Sequence, residues 1–181
     1  RPEGVSGSCV VCVLEGSRPI LAEVQALITR SGFAAPRRMA TGFDYNRMNL
    51  LLAVLEKRAG YTFANLDAYV NVVGGLRLDE PASDLPIALA LVSGLRDKPI
   101  PAGMLAIGEV GLGGEIRSVL RIEDRIREAE RLGFTRCLVP HSSLQGLDTS
   151  RFSIQIVGVR DIVEALRSIQ SAEKGSGKER T

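Results

Sequence analysis

The chain has 181 residues, 45% of them hydrophobic and 24% charged, with a formal net charge of +2. That length and balance suit one domain able to bury its own core, and no stretch reaches the roughly 18 apolar residues of a membrane span. The small net charge neither demands nor excludes nucleic acid, so the distribution of charge carries more information than its total.

Residues 8–14, SCVVCVL, predict a buried strand. Residues 18–30 alternate, with Ile20, Ala22, Val24, Ala26 and Ile28 on one face and Glu23, Gln25 and Thr29 on the other, which is the period of a half-buried strand. Joined by Glu15-Gly16-Ser17, the two form an N-terminal β-hairpin. Residues 33–43, FAAPRRMATGF, read as a basic strand or loop. Asp44 then caps a helix that Gly60 stops, with Met48, Leu51, Leu52, Leu55 and Ala59 as its buried stripe. A strand, DAYVNVVGG, follows, and then a helix from Pro81 to Gly94, with Pro86 near enough its start to be tolerated. Short strands surround the glycines of residues 103–119. LRIEDRIREAERLG predicts a helix with Ile122, Ile126, Ala129 and Leu132 inward. FTRCLVP and RFSIQIVGV read as strands, and RDIVEALRSI as a closing helix with Ile162, Leu166 and Ile169 inward. The order predicts an α/β (α+β) two-layer domain over residues 1–170, with no internal repeat. Residues 171–181 are poor in apolar side chains and read as a disordered tail. Their GSGK lacks the first glycine, the strand and the helix of a phosphate loop. The chain opens on Arg1-Pro2-Glu3, which reads as a piece of a longer protein with no secretory leader.

Three cysteines, Cys9, Cys12 and Cys137, are too few for a disulfide scaffold. Cys9 and Cys12 have metal-knuckle spacing, but with no second pair and a single histidine they read as buried strand thiols in a reducing compartment. No metal or cofactor is therefore expected in this domain. Arg37, Arg38, Arg47, Lys57 and Arg58 share one strand-to-helix unit and are the candidate DNA-phosphate contacts. Arg47, in a first helical turn, opposes the helix dipole and calls for a partner anion. The helix 121–133 alternates its charges and reads as a solvated or inter-subunit surface. Ser83 is a doubtful nucleophile. Its candidate bases are Lys98, in a solvated turn, and His141, in a loop, so Ser83 or Asp84 reads as a helix cap.

Taken together, SRPILAEVQALI, PRRMATGFDYNRMNLLLAVLEKRAG, DEPASDLPIALAL, GEVGLGGEIRSV and EAERLGF...LVP resemble the C-terminal domain of the bacterial RadA (Sms) DNA-repair family, a region similar to the proteolytic domain of Lon proteases. The resemblance covers nearly all of residues 5–169. It implies a Lon-like fold and a parent protein in which a zinc module and a RecA-like ATPase lie upstream, so zinc, ATP and magnesium belong there. It implies homo-hexameric rings that act in the bacterial cytoplasm, associated with the nucleoid, on single-stranded and branched DNA, with recombinase filaments as further partners. Laid on the Lon pattern, the nucleophile position becomes Ala82 and the lysine position Glu123. Both members of the dyad are then missing, and a non-proteolytic domain is expected. A pure oligomerisation scaffold and a residual serine peptidase are the alternatives.

Overall fold

The computed structural model describes residues 4–32 and 34–178. β1 (Ser8–Glu15) and β2 (Arg18–Arg30) form the expected hairpin, paired from Ser8↔Gln25 to Glu15↔Arg18. β3 (Arg38–Thr41) leads to α1 (Tyr45–Ala59). The Asp44 side chain accepts the Asn46 amide at 3.0 Å, and Gly60 ends the helix at φ 76°, a left-handed conformation that glycine adopts without a Cβ clash. β4 (Leu66–Val72) then pairs antiparallel with β2 and parallel with β3.

A 3-10 turn over Pro81–Ser83 precedes α2 (Asp84–Arg96), so the α-helix starts three residues later than the proline suggests. β5 (Met104–Ala106) returns to the sheet, and β6 (Glu109–Val110) and β7 (Ile116–Arg117) make a small separate hairpin. α3 (Ile122–Arg131), β8 (Arg136–Pro140), β9 (Gln155–Val159) and α4 (Ile162–Lys178) complete the chain. The segment before β9 is shorter in strand than its alternation suggests, because Thr149–Arg151 close into a 3-10 turn capped by Asp148.

Seven strands lie in one mixed sheet in the order β3-β4-β2-β1-β5-β8-β9. Alternation along β1 sends Cys9 and Val11 to one face and Val10 and Cys12 to the other. The first face packs against α1, α2 and α4, and α2 is apolar nearly all round because it lies at the centre of that layer. The second face packs against α3 through Ile126 and Ala129. Helices on both faces correct the two-layer expectation. The period-2 strands β5 and β8 are apolar on both sides, so both sides require a cover.

Two further expectations are corrected. Leu132 is 48% exposed, since α3 ends one residue before it. α4 runs through residues 171–178, whose composition reads as tail: Ala172 packs on the core and Glu173 pairs with Arg96 at 3.3 Å, giving the helix a reason to continue. Residues 179–181 lie outside the described residues. No helix among the described residues is long and apolar enough to cross a membrane.

Candidate nucleic-acid interface

The pairing of β2 with β4 sets Arg30 opposite Leu66, and the Ala68 amide donates to the Arg37 carbonyl at 2.9 Å. Arg30, Arg37 and Arg38 therefore meet at the corner of the sheet where β4 begins. Asp67 organises this corner. Its carboxylate, 5% exposed, accepts the Arg37 amide at 2.7 Å, and that hydrogen bond holds it below the usual carboxylate range. Arg38 is turned inward. Its guanidinium donates to the Leu66 carbonyl and, at 2.9 Å, to the Phe63 carbonyl, closing the loop between α1 and β4.

Across that loop, Lys57 and Arg58 occupy the last turn of α1, where cations complement the helix dipole. Arg58 also reaches the Leu112 carbonyl at 3.4 Å, and its side chain lies against Gly114, where a Cβ would sit 3.1 Å from it. Arg30, Arg37 and Lys57 are exposed. Arg30 escaped sequence reading because only the β2–β4 register brings it to this corner.

Arg47 does not face outward for a partner's anion, because its anion belongs to the same chain. Its guanidinium grips the Asp84 carboxylate in a two-point pair and donates to the Val110 carbonyl at 3.0 Å, while Asp84 also accepts the Val110 amide at 3.1 Å. Asp84 is 1% exposed, and this hydrogen bond to it raises the Arg47 pKa above the ordinary arginine value. The arrangement ties α1, α2 and β6 together. It also corrects the capping expectation for Asp84, whose carboxylate serves a neighbouring helix and strand rather than its own helix start.

The two positions expected from the Lon pattern are Ala82 and Glu123. Ala82 is 3% exposed and packs in the apolar cluster of Val10, Cys12, Ile107 and Ile126. Glu123 lies on α3, half-exposed, and pairs with Arg127 one turn on. Ser83 is fully buried, and its hydroxyl has no hydrogen-bond partner, so it neither caps α2 nor lies within reach of a base. Lys98 and His141 are both exposed, the latter 3.2 Å from Arg160. A buried hydroxyl without a base has no means of becoming a nucleophile.

Beside Ser83, Arg125 is 2% exposed although it stands in the charged run of α3. It pairs with Glu80 and donates to the Cys12 carbonyl at 2.8 Å and the Leu120 carbonyl at 2.9 Å. Glu80 in turn accepts the Leu14 amide at 3.2 Å. Its position, three residues after Ile122 and one before Ile126, falls on the inward stripe of α3, a signal that the alternation of charges masked. Six of the other charges there pair along the helix as expected, Arg121 with Asp124, Arg127 with Glu123 and Arg131 with Glu128, while Glu130 accepts hydrogen bonds from Ser153 and Ile154.

Among known proteins, the chain is 50% identical over 171 residues to the DNA repair protein RadA of Streptococcus pyogenes serotype M3, covering 94% of this chain and 38% of that protein. It is 51% identical over 168 residues to the DNA repair protein RadA of Bacillus subtilis, covering 93% and 36%. The RadA of Halalkalibacterium halodurans is likewise 51% identical, over 166 residues. The chain thus spans little more than a third of the length of these curated relatives. Residues 45–143 match the family model described as subunit ChlI of Mg-chelatase. With more than half of its length inside that model, and half of its residues shared with those relatives, the chain belongs to the ChlI family and is a homologue of bacterial RadA.

Proposed function

We propose that this chain is a non-proteolytic, Lon-like domain of a DNA-repair and recombination ATPase, supporting assembly of a homo-hexameric ring and contacting single-stranded or branched DNA during branch migration. Identity of one residue in two with RadA proteins across almost the whole chain carries the reading. The ATP, magnesium and zinc sites belong to modules upstream. Recombinase filaments are the expected protein partners, and the bacterial cytoplasm, at the nucleoid, is the expected location.

Within this reading, DNA phosphates meet the corner formed by Arg30 and Arg37, with Lys57 and Arg58 on the far side of the loop. Arg38 and Arg47 hold the corner and the helix layer in shape, so they position the site rather than touch DNA. The missing dyad bears on the same point: with Ala82 at the nucleophile position and Ser83 buried without a base, the domain cannot cut peptides and acts by binding.

A salt titration of forked-DNA binding tests the proposal. Replacing Arg30, Arg37 and Lys57 by alanine is expected to weaken binding and to flatten the slope of log K against log salt by about one for each phosphate no longer neutralised. An unaltered slope with these replacements assigns the domain to a pure scaffold role instead. Arg38 and Arg47 are left intact in that variant, because losing them would disturb the fold.

A further inference from the structure

The second face of the sheet is only half covered. α3 lies over β1, β5, β8 and the Leu21 end of β2. Beyond it, β2, β4 and β3 present a bare surface whose rows follow directly from the strand register. Leu27, Tyr69 and Met39 stand side by side, and next to them lie Gln25, Asn71 and Thr41. Leu27 is 62% and Met39 54% exposed, so among the described residues no helix packs on this row. The third row opens with Thr29 and Asp67 and ends at the Arg37 corner, while Arg30, one residue further along β2, points to the opposite face at the same edge.

Each row has its own chemistry. An aromatic ring sits between two flat apolar side chains at the centre. Two amides and a hydroxyl, each able to both donate and accept hydrogen bonds, lie on one side. The exposed Arg37 lies on the other, while the one carboxylate of that row, Asp67, is buried and used to hold the Arg37 backbone. Three strands span roughly 10 Å, and three rows along a strand about 13 Å, which is room for two unstacked bases. Sheet faces that bind single strands combine these parts: a ring for stacking, polar side chains for base edges, and cations for phosphates.

We propose that the face Leu27–Tyr69–Met39, with Gln25, Asn71 and Thr41 beside it, is a platform on which bases of single-stranded nucleic acid stack, while Arg37 meets the adjoining phosphates and Arg30 those that pass round the edge of the sheet. The inference rests on the DNA-binding reading above and adds to it which part of the nucleic acid is held, and where. A bare apolar row also suits a second copy of the chain, but the positive corner continuous with this face favours a polyanion.

The test compares binding of this chain to a labelled oligothymidylate and to an abasic strand of equal length, which has the phosphates without the bases. The intact chain is expected to bind oligothymidylate at least about fivefold tighter, since stacking on one aromatic ring gives that much or more. Tyr69→Leu is expected to abolish the preference and leave abasic binding unchanged, which also shows that the variant is folded. Tyr69→Phe is expected to keep the preference. Equal affinity of the intact chain for the two strands overturns the platform and leaves the basic corner standing. Binding of neither strand at low salt removes the DNA reading and the platform with it. Self-association in sedimentation velocity that Leu27→Lys dissolves gives the face to a second copy and likewise overturns the proposal.

Discussion

Arg47 and Asp84 show how a charge motif is misread when its partner is distant in sequence. A cation in the first turn of a helix calls for an anion, and Arg47 has one. It lies 37 residues away, at the start of another helix. Because Asp84 is buried, Arg47→Ala leaves a carboxylate without its counter-ion and is expected to destabilise the domain by about 3 kcal/mol, toward the low end for a broken buried pair because Arg47 is itself part-exposed. Replacing both by apolar residues of similar volume, Arg47→Met with Asp84→Leu, is expected to recover most of that loss. Urea denaturation of the two variants measures the difference. A single substitution costing under about 1 kcal/mol means that water reaches Asp84. Residue identity was legible at Ala82 and Glu123, because it needed only the sequence laid against a pattern. The partners of Arg38, Arg47 and Arg125 were not, because each is set by packing between elements far apart in the chain.

At the scale of elements, the cap, the stop and most of the stripe of α1 were readable, since all are local, though Val54 is buried beyond the expected stripe and Ala59 only partly. α3 was readable in its alternating charges and not in its role. It is clamped to the segment that leads into β9 through Glu130, whose carboxylate accepts the Ser153 hydroxyl at 2.7 Å and the Ile154 amide at 3.1 Å. The hydrogen bond from the Ser153 side chain, more than any other interaction, holds the Glu130 pKa below its ordinary value. A carboxylate with a lowered folded pKa adds stability that is present above its unfolded pKa and lost as pH falls through the folded one. Glu130→Gln is therefore expected to lower stability at neutral pH and to make the loss on acidification, as pH falls below the ordinary glutamate range, shallower than in the intact chain. Parallel urea midpoints across that range check the sign. An acid limb that steepens in the variant refutes the clamp.

For the whole molecule, the unbroken apolar run of β1 marked a buried strand, yet nothing local said that one helix would cross to the second face and cover only half of it. Layer count depends on where connections run, and connections are not written in periodicity. The thiols report on that packing. Cys9, Cys12 and Cys137 have at most 1% of their surface exposed, and burial pushes Cys12 up to about 12 and raises Cys137 as well. At pH 8 they are expected to react with a thiol reagent at least about a thousandfold slower than in the urea-unfolded chain, the protection given by about 4 kcal/mol of opening free energy. Prompt labelling of Cys12 in the native protein means that α3 lifts from the sheet far more easily than its packing implies.

The Arg125–Glu80 pair has one more consequence. Past Val10, β1 has no strand neighbour on its β5 side among the described residues, so its even-numbered backbone groups face a gap. Arg125 fills the place of an amide at the Cys12 carbonyl, and Glu80 the place of a carbonyl at the Leu14 amide. Two side chains thus mimic the strand that is missing. An extended peptide arriving there finds no ladder left to join. At the Cys12 carbonyl and the Leu14 amide, the chain has closed with its own side chains an edge that a further strand would otherwise extend.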